Sequence, residues 1–333
     1  MEKWKAVRKW GLWVLLTGFI LAAVAAGAGW IWERSEHNAF LEGGFDPPGQ
    51  MVRAGDHQLH LVARGEGSPG VLLISGLGDD FRTWDKVQPR LADVTRVVSY
   101  DRPGLGWSPA REGTLSVDAA IEDIENLLAN PDLFEGPPVL IGHSLGGLLA
   151  RRFAYRHPAQ ISGLVLLDAT PDKMPGLMKA ILGTMYRLSS WRATVGLRRR
   201  RYYGEHPRLT RDRALVQGHL NASGFRARET RREFVGLMNS EEFVPPQGGL
   251  GPLPLTVLVT TLGAPPGLRR MIDEVNDAKR SIALESERGQ LIEMATGHYI
   301  HRQDPDAVIA AVVEMLSSVA SEAAASTVGE VSR

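Results

Sequence analysis

Hydrophobic positions fall into three patterns along this chain: one long unbroken run, a series of short runs, and helical stripes between them. The long run comes first. From Gly11 to Trp32 (GLWVLLTGFILAAVAAGAGWIW) no ionisable residue occurs. At about 1.5 Å rise per residue this stretch is long enough for the roughly 30 Å hydrocarbon core of a bilayer. Ser35 to Gly49 then reads as a polar connector. Met51 to Arg53 and Gln58 to Ala63 predict a hairpin turning at Gly55-Asp56. Val71 to Ser75, Arg96 to Tyr100, Val139 to Ile141, Leu164 to Leu167, Thr256 to Val259 and Leu291 to Met294 are short apolar runs, as expected of buried strands.

Helical spacing lies between these runs. Arg82 to Leu91 carries Trp84, Val87 and Leu91, and Ser116 to Ala129 carries Val117, Ala120, Ile121, Ile124 and Leu128, with Ser116 as cap. Leu145 to Tyr155 predicts a helix closed by His157-Pro158, and Asp304-Pro305 opens a last one running to about Met315. Strands alternating with helices predict an α/β fold, a mostly parallel eight-stranded sheet flanked by helices. From Thr170 to Leu253 the alternation breaks into helix-like sequence without a convincing strand, the form of an inserted helical cap.

The expected organisation is therefore a basic flank at 1–10, a transmembrane helix at 11–32 and a linker at 33–50. A core at 51–170 and 253–316 encloses a cap at 171–252, and a flexible tail follows at 317–333. Lys3, Lys5, Arg8 and Lys9 precede the apolar run, whereas Arg34 alone follows closely. That asymmetry predicts a cytoplasmic N-terminus and an extracytoplasmic domain. Trp4, Trp10, Trp13, Trp30 and Trp32 suit the two interfaces. The alternatives are a signal peptide cleaved near Ala26-Gly27-Ala28, which gives a secreted protein, and a buried core helix, for which the run is long.

Over the chain of 333 residues, 38 basic and 38 acidic residues balance, so no global field points to nucleic acid. Cysteine is absent, which excludes disulfides, thiolate metal sites and a cysteine nucleophile. Charge is uneven locally: Pro171 to Pro252 holds 15 Lys/Arg against 7 Asp/Glu, including the run Arg198 to Arg201. The run reads either as a solvated helix face or as a surface leaning on anionic headgroups, where each cation contributes about 1 kcal/mol.

The candidate chemistry lies in Gly142-His143-Ser144-Leu145-Gly146-Gly147, between a predicted strand and a predicted helix. A sharp strand-to-helix turn crowds the backbone, so the positions two before and two after the serine must be small. It lifts the Ser144 hydroxyl above the sheet edge and leaves the Leu145 N–H free at the helix start for a developing oxyanion. The hydroxyl needs a base, and His298 follows the last strand; His301 is the nearest rival. Asp168, directly after the strand ending at Leu167, is the favoured acid, with Asp172, Asp273 and Asp277 as alternatives. Leu77, in Ser75-Gly76-Leu77-Gly78, is the expected second oxyanion donor. Asp79-Asp80 lacks the neighbouring ligands a metal site would need.

Four segments, SGLGDD, YDRPGLGWS, GHSLGG and GHYIHRQDP, together resemble the α/β-hydrolase superfamily from about Met51 to Leu316. The resemblance implies acyl transfer to water through Ser144, with no metal or organic cofactor. It argues against epoxide hydrolase and dehalogenase chemistry, which needs an aspartate nucleophile. Ser75 stands where many relatives have histidine, and the acid is shifted to the earlier strand, as certain lipases and dehalogenases have it. A carboxylic-ester hydrolase acting on a small or lipid-like ester is the leading expectation. A thioesterase, lactonase, C–C hydrolase, cofactor-free peroxidase or acyltransferase would use the same residues. A non-catalytic binding protein or a membrane scaffold are the alternatives from other classes.

Overall fold

The computed structural model describes residues 2–113, 115–238, 240, 243–261 and 266–331. The expected strands are β1 (Gln50–Ala54), β2 (His57–Arg64), β3 (Val71–Ile74), β4 (Val97–Tyr100), β5 (Val139–His143), β6 (Gly163–Leu167), β7 (Leu255–Thr260) and β8 (Gly289–Met294). They form one sheet in the order β1-β2-β4-β3-β5-β6-β7-β8. β1 and β2 pair antiparallel, as do β2 and β4, and every later pairing is parallel. This is the α/β-hydrolase fold.

The chain divides into two units, Pro47–Gly183 with Arg232–Arg333, and Met1–Asp46 with Thr184–Arg231. The first holds the sheet. Period-two alternation sends Leu72, Ile74, Leu140, Leu164 and Leu166 to one face, under the helices Val117–Leu128 and Leu145–Arg156. Val71, Leu73, Val139, Ile141 and Val165 go to the other face, against Trp84, Leu91, Val308 and Val312. Both faces are covered, which is why these strands read as continuous apolar runs. Ser116 caps its helix by accepting the Ala119 N–H at 3.1 Å.

Three elements depart from the sequence expectation. Arg82 to Leu91 is a 3-10 turn, Phe81–Trp84, followed by a short helix, Gln88–Leu91. Asp80 caps the turn and Pro89 starts the second piece, so neither extends into the other. The helix Arg269–Ser281 was not expected, since few of its positions are apolar. The C-terminal helix spans Pro305–Val331, running on through the alanine-rich stretch read as a frayed tail.

The second unit contains the N-terminal helix, Glu2–Glu42, and much of the insertion between β6 and β7. Trp10–Glu42 is long and apolar enough to cross a membrane, and none of its most apolar window is buried, which removes the core-helix reading. Residues expected as a linker are helical to Glu42. The reason is tertiary: Arg199 bonds both oxygens of Glu33, at 2.7 and 3.0 Å, and Arg211 bonds both of Glu36, at 2.8 and 2.6 Å. Tyr203 donates to Glu36, and the Phe40 ring stacks on His219. Arg199 is completely buried, whereas Arg201 is exposed and pairs with Glu205. The arginine run is therefore not one solvated face.

Candidate active site

Ser144, Asp168 and His298 follow the carboxyl ends of β5, β6 and β8, with β7 between the last two, so all three come from the same end of the parallel strands. Ser144 stands at the turn between β5 and the helix Leu145–Arg156, with φ 52° and ψ −116°. A left-handed φ at a non-glycine residue costs about 1 kcal/mol or more, and the surroundings hold it there. The Ser144 N–H donates to Leu167 O at 3.0 Å, and the Ser144 carbonyl accepts from Thr170 N at 2.9 Å. A Cβ on Gly146 would come within 2.1 Å of Ile74 O, and one on Gly142 within 2.5 Å of the Gly147 Cα. The small residues around the serine are thus a steric requirement.

The three side chains meet. His298 Nε2 lies 3.0 Å from Ser144 Oγ, and His298 Nδ1 lies 2.5 Å from Asp168 Oδ2. Asp168 is buried, and its backbone is also left-handed, with φ 44°. The His298 side chain is nearly half exposed, at 46%. Burial by itself would raise the Asp168 carboxyl; the hydrogen bond with His298 and the Lys279 ammonium outweigh it and hold the group below the usual carboxylate range. This arrangement puts Nδ1 beside a carboxylate and Nε2 beside the hydroxyl, each within hydrogen-bond reach.

The profile of the Alpha/beta hydrolase family matches residues 71–311, from the start of β3 into the C-terminal helix. The chain belongs to this family. A pimeloyl-[acyl-carrier protein] methyl ester esterase of Klebsiella pneumoniae is 32% identical over 125 residues, 35% of this chain and 45% of that protein. The match spans less than half the length of the curated relatives. Among solved structures, a thermophilic esterase from Thermogutta terrifontis has TM-score 0.60 at 22% identity, covering 81% of this chain and 99% of that one. The enol-lactonase of Burkholderia xenovorans LB400 has TM-score 0.56 at 20% identity, covering 80% and 100%.

Of the competing acids, Asp273 is exposed on the helix Arg269–Ser281, and the other two are engaged elsewhere. Asp172 pairs with Arg151 and Arg152, and Asp277 with Arg280. His301 is buried, bonds Thr83 Oγ1 at 2.9 Å and is pushed down to about 3 by burial and by the charges of Arg302 and His298. His143 is buried too, and its Nε2 donates to the His298 carbonyl at 3.0 Å. Burial and the charges of His301 and His298 hold it well below the usual imidazole range, so it is neutral. Asp80 caps the 3-10 turn and pairs with Arg82. Residues 262–265 of the loop after β7 lie outside the described residues.

Leu145 begins its helix, so its N–H has no intrahelical acceptor. The Ser75–Gly78 loop that carries Leu77 is held from below. Arg102 donates to the carbonyls of Ser75 and Gly76, both at 2.6 Å, and its Nε bonds Glu233 Oε1 at 2.5 Å. Glu233 Oε2 accepts the Gly78 N–H at 2.8 Å. A Cβ on Gly76 would fall 2.8 Å from His143 Nδ1, which accounts for the glycine. Asp101 accepts from Phe81 N, Trp107 N and His60 Nδ1, fixing the YDRPGLGWS turn. Lys279 and Glu233 carried no sequence signal: each lies over a hundred residues from its partner, in a polar stretch with no motif.

Proposed function

We propose that the chain is a serine hydrolase cleaving a carboxylic-ester bond, tethered to a membrane by its N-terminal helix. The observation that carries this reading is the continuous contact from Asp168 through His298 to the Ser144 hydroxyl, with a 3.0 Å Nε2–Oγ separation. In the first step Ser144 Oγ attacks the ester carbonyl while His298 Nε2 accepts its proton. The tetrahedral oxyanion is bound by the N–H groups of Leu77 and Leu145. Collapse expels the alcohol, which takes the proton back from His298 and leaves an acyl-Ser144. Water, deprotonated by His298, attacks that ester and releases the carboxylic acid and free Ser144. Asp168 orients the imidazole and stabilises its cationic form without taking the proton.

Ester chemistry in the Klebsiella and Thermogutta proteins, by their names, supports the bond type. The anchor reading rests on the length and apolarity of the helix and on the basic residues before it. On that reading the N-terminus lies in the cytoplasm and the hydrolase domain beyond the membrane.

A fluorophosphonate probe on the full-length protein tests the chemistry. Labelling is expected in the wild type, absent in Ser144→Ala and much slowed in Asp168→Asn. A folded wild type that takes no label would sink the enzyme reading in favour of a binding protein. Protease accessibility of a C-terminal fusion tests the topology: cleavage from the cytoplasmic face alone overturns it.

A further inference from the structure

The insertion is unusually basic where it packs with the N-terminal helix. Between Thr184 and Arg231 twelve arginines stand against three carboxylates, Glu205, Asp212 and Glu229. Two arginines are spent on the N-terminal helix, Arg199 on Glu33 and Arg211 on Glu36, and Arg201 pairs with Glu205. Arg198 is different. It is half-buried, and its recorded hydrogen bonds are two long ones to neutral acceptors, Ser189 Oγ and Asn221 O, both at 3.3 Å. Among the described residues no carboxylate pairs with it. Burial, together with the charges of Arg226 and Arg192, lowers its proton affinity. A half-buried guanidinium facing other guanidiniums lacks the anion that would offset its desolvation.

Arg198 and Arg192 line a groove of about 450 Å³. Its apolar wall is made by Met185, Leu188 and Leu197, which are 60%, 55% and 46% exposed. Cation and apolar wall together match a ligand with an anionic head and a hydrocarbon tail. The groove is also close in sequence and space to the apolar helix. A Cβ on Gly29 would sit 2.2 Å from Val195 O, and one on Gly196 2.9 Å from the Trp32 ring. The segment leading into Leu197 and Arg198 therefore lies level with the last turn of the apolar run, where Trp30 and Trp32 suit a membrane interface. The exposed Trp191 is on the same stretch.

We propose that this groove binds one anionic phospholipid from the bilayer, its phosphate on Arg192 and Arg198 and an acyl chain along Met185, Leu188 and Leu197. The depth argument rests on the anchor reading; the match of charge and apolar wall does not.

The test is native mass spectrometry of the full-length protein in detergent, titrated with phosphatidylglycerol or phosphatidylcholine. One retained phosphatidylglycerol is expected, favoured about thirtyfold over phosphatidylcholine, as two interfacial cations at about 1 kcal/mol each would give. Arg192→Gln with Arg198→Gln should abolish the preference. Leu188→Glu, at an exposed position where folding is not at stake, should reduce retention of both lipids. A preference that survives the double arginine variant overturns the proposal, as does retention indifferent to headgroup. Displacement of the lipid by millimolar inorganic phosphate overturns the lipid as occupant and makes the site one for free phosphate. Alkaline extraction of membranes reads the anchor separately. If the chain washes out while the lipid preference persists, the anchor fails and the groove stands; if it stays without any preference, the reverse holds.

Discussion

Lys279 Nζ lies 2.8 Å from Asp168 Oδ1, the carboxylate oxygen that His298 does not use. The lysine is nearly buried, so the contact is little screened. A cation there stabilises the carboxylate and, with the His298 hydrogen bond, holds it below the usual carboxylate range. His143 and His301, the other rings packed near His298, are held neutral and contribute no competing charge.

Replacing Lys279 with Met removes one of the two influences that hold the Asp168 carboxyl low, so that carboxyl should rise toward the usual carboxylate range. In the proposed reaction Asp168 orients the imidazole only as a carboxylate, so activity falls where that carboxyl takes up a proton. The acid limb of kcat/KM is therefore expected to move to higher pH. A purely structural role for Lys279 would lower activity at every pH and leave the limb where it is. The pH profile against a nitrophenyl ester separates the two.

Much of this arrangement was legible in the chain. The GHSLGG segment fell between an apolar run and a helical stripe, so the elbow, its strand and its helix were readable together. His298 and Asp168 could be read as strand-end residues because β6 and β8 are short and sharply bounded. Lys279 could not, because the helix Arg269–Ser281 is mostly polar and its one buried cation looks like any surface lysine in sequence. Arg199 hid for the same reason inside a run of four arginines. Long-range ion pairs leave no local periodicity, so sequence reading captures the frame and misses its electrostatic bracing.

Gly146 should tolerate no side chain. A methyl group would meet Ile74 O at 2.1 Å and Ser75 O at 2.6 Å, both backbone atoms in a central strand end. Gly146→Ala is expected to destabilise by about 3 kcal/mol, toward the upper part of the overpacking range. Thermal melts check it; an unchanged midpoint would mean that the helix and β3 can separate without cost.

The Arg102–Glu233 pair is expected to act on rate through the oxyanion loop. Glu233→Gln keeps the shape, removes the charge facing a buried guanidinium and weakens the hold on the Gly78 N–H. A loss of about tenfold in kcat with little change in KM is expected, smaller than the hundredfold typical of deleting a donor itself. A rise in KM at constant kcat would instead make Glu233 a substrate-side residue.

The buried pair between Arg199 and Glu33 gives a prediction about stability. Glu33 accepts from Arg199 twice and from the Gly224 N–H at 2.7 Å, and both side chains are buried. Arg199→Met strands the Glu33 carboxylate, which should cost about 3–5 kcal/mol. Glu33→Met strands the guanidinium to similar effect. The double replacement removes both charges and puts two apolar side chains in their place, so it should recover most of the loss, leaving chiefly the unpaired Gly224 N–H at about 1–3 kcal/mol. Chemical denaturation of the four proteins in detergent measures the coupling. If each single change is silent, the pair contributes nothing to holding the N-terminal helix against the insertion, and the helical extension from Glu33 to Glu42 needs another cause.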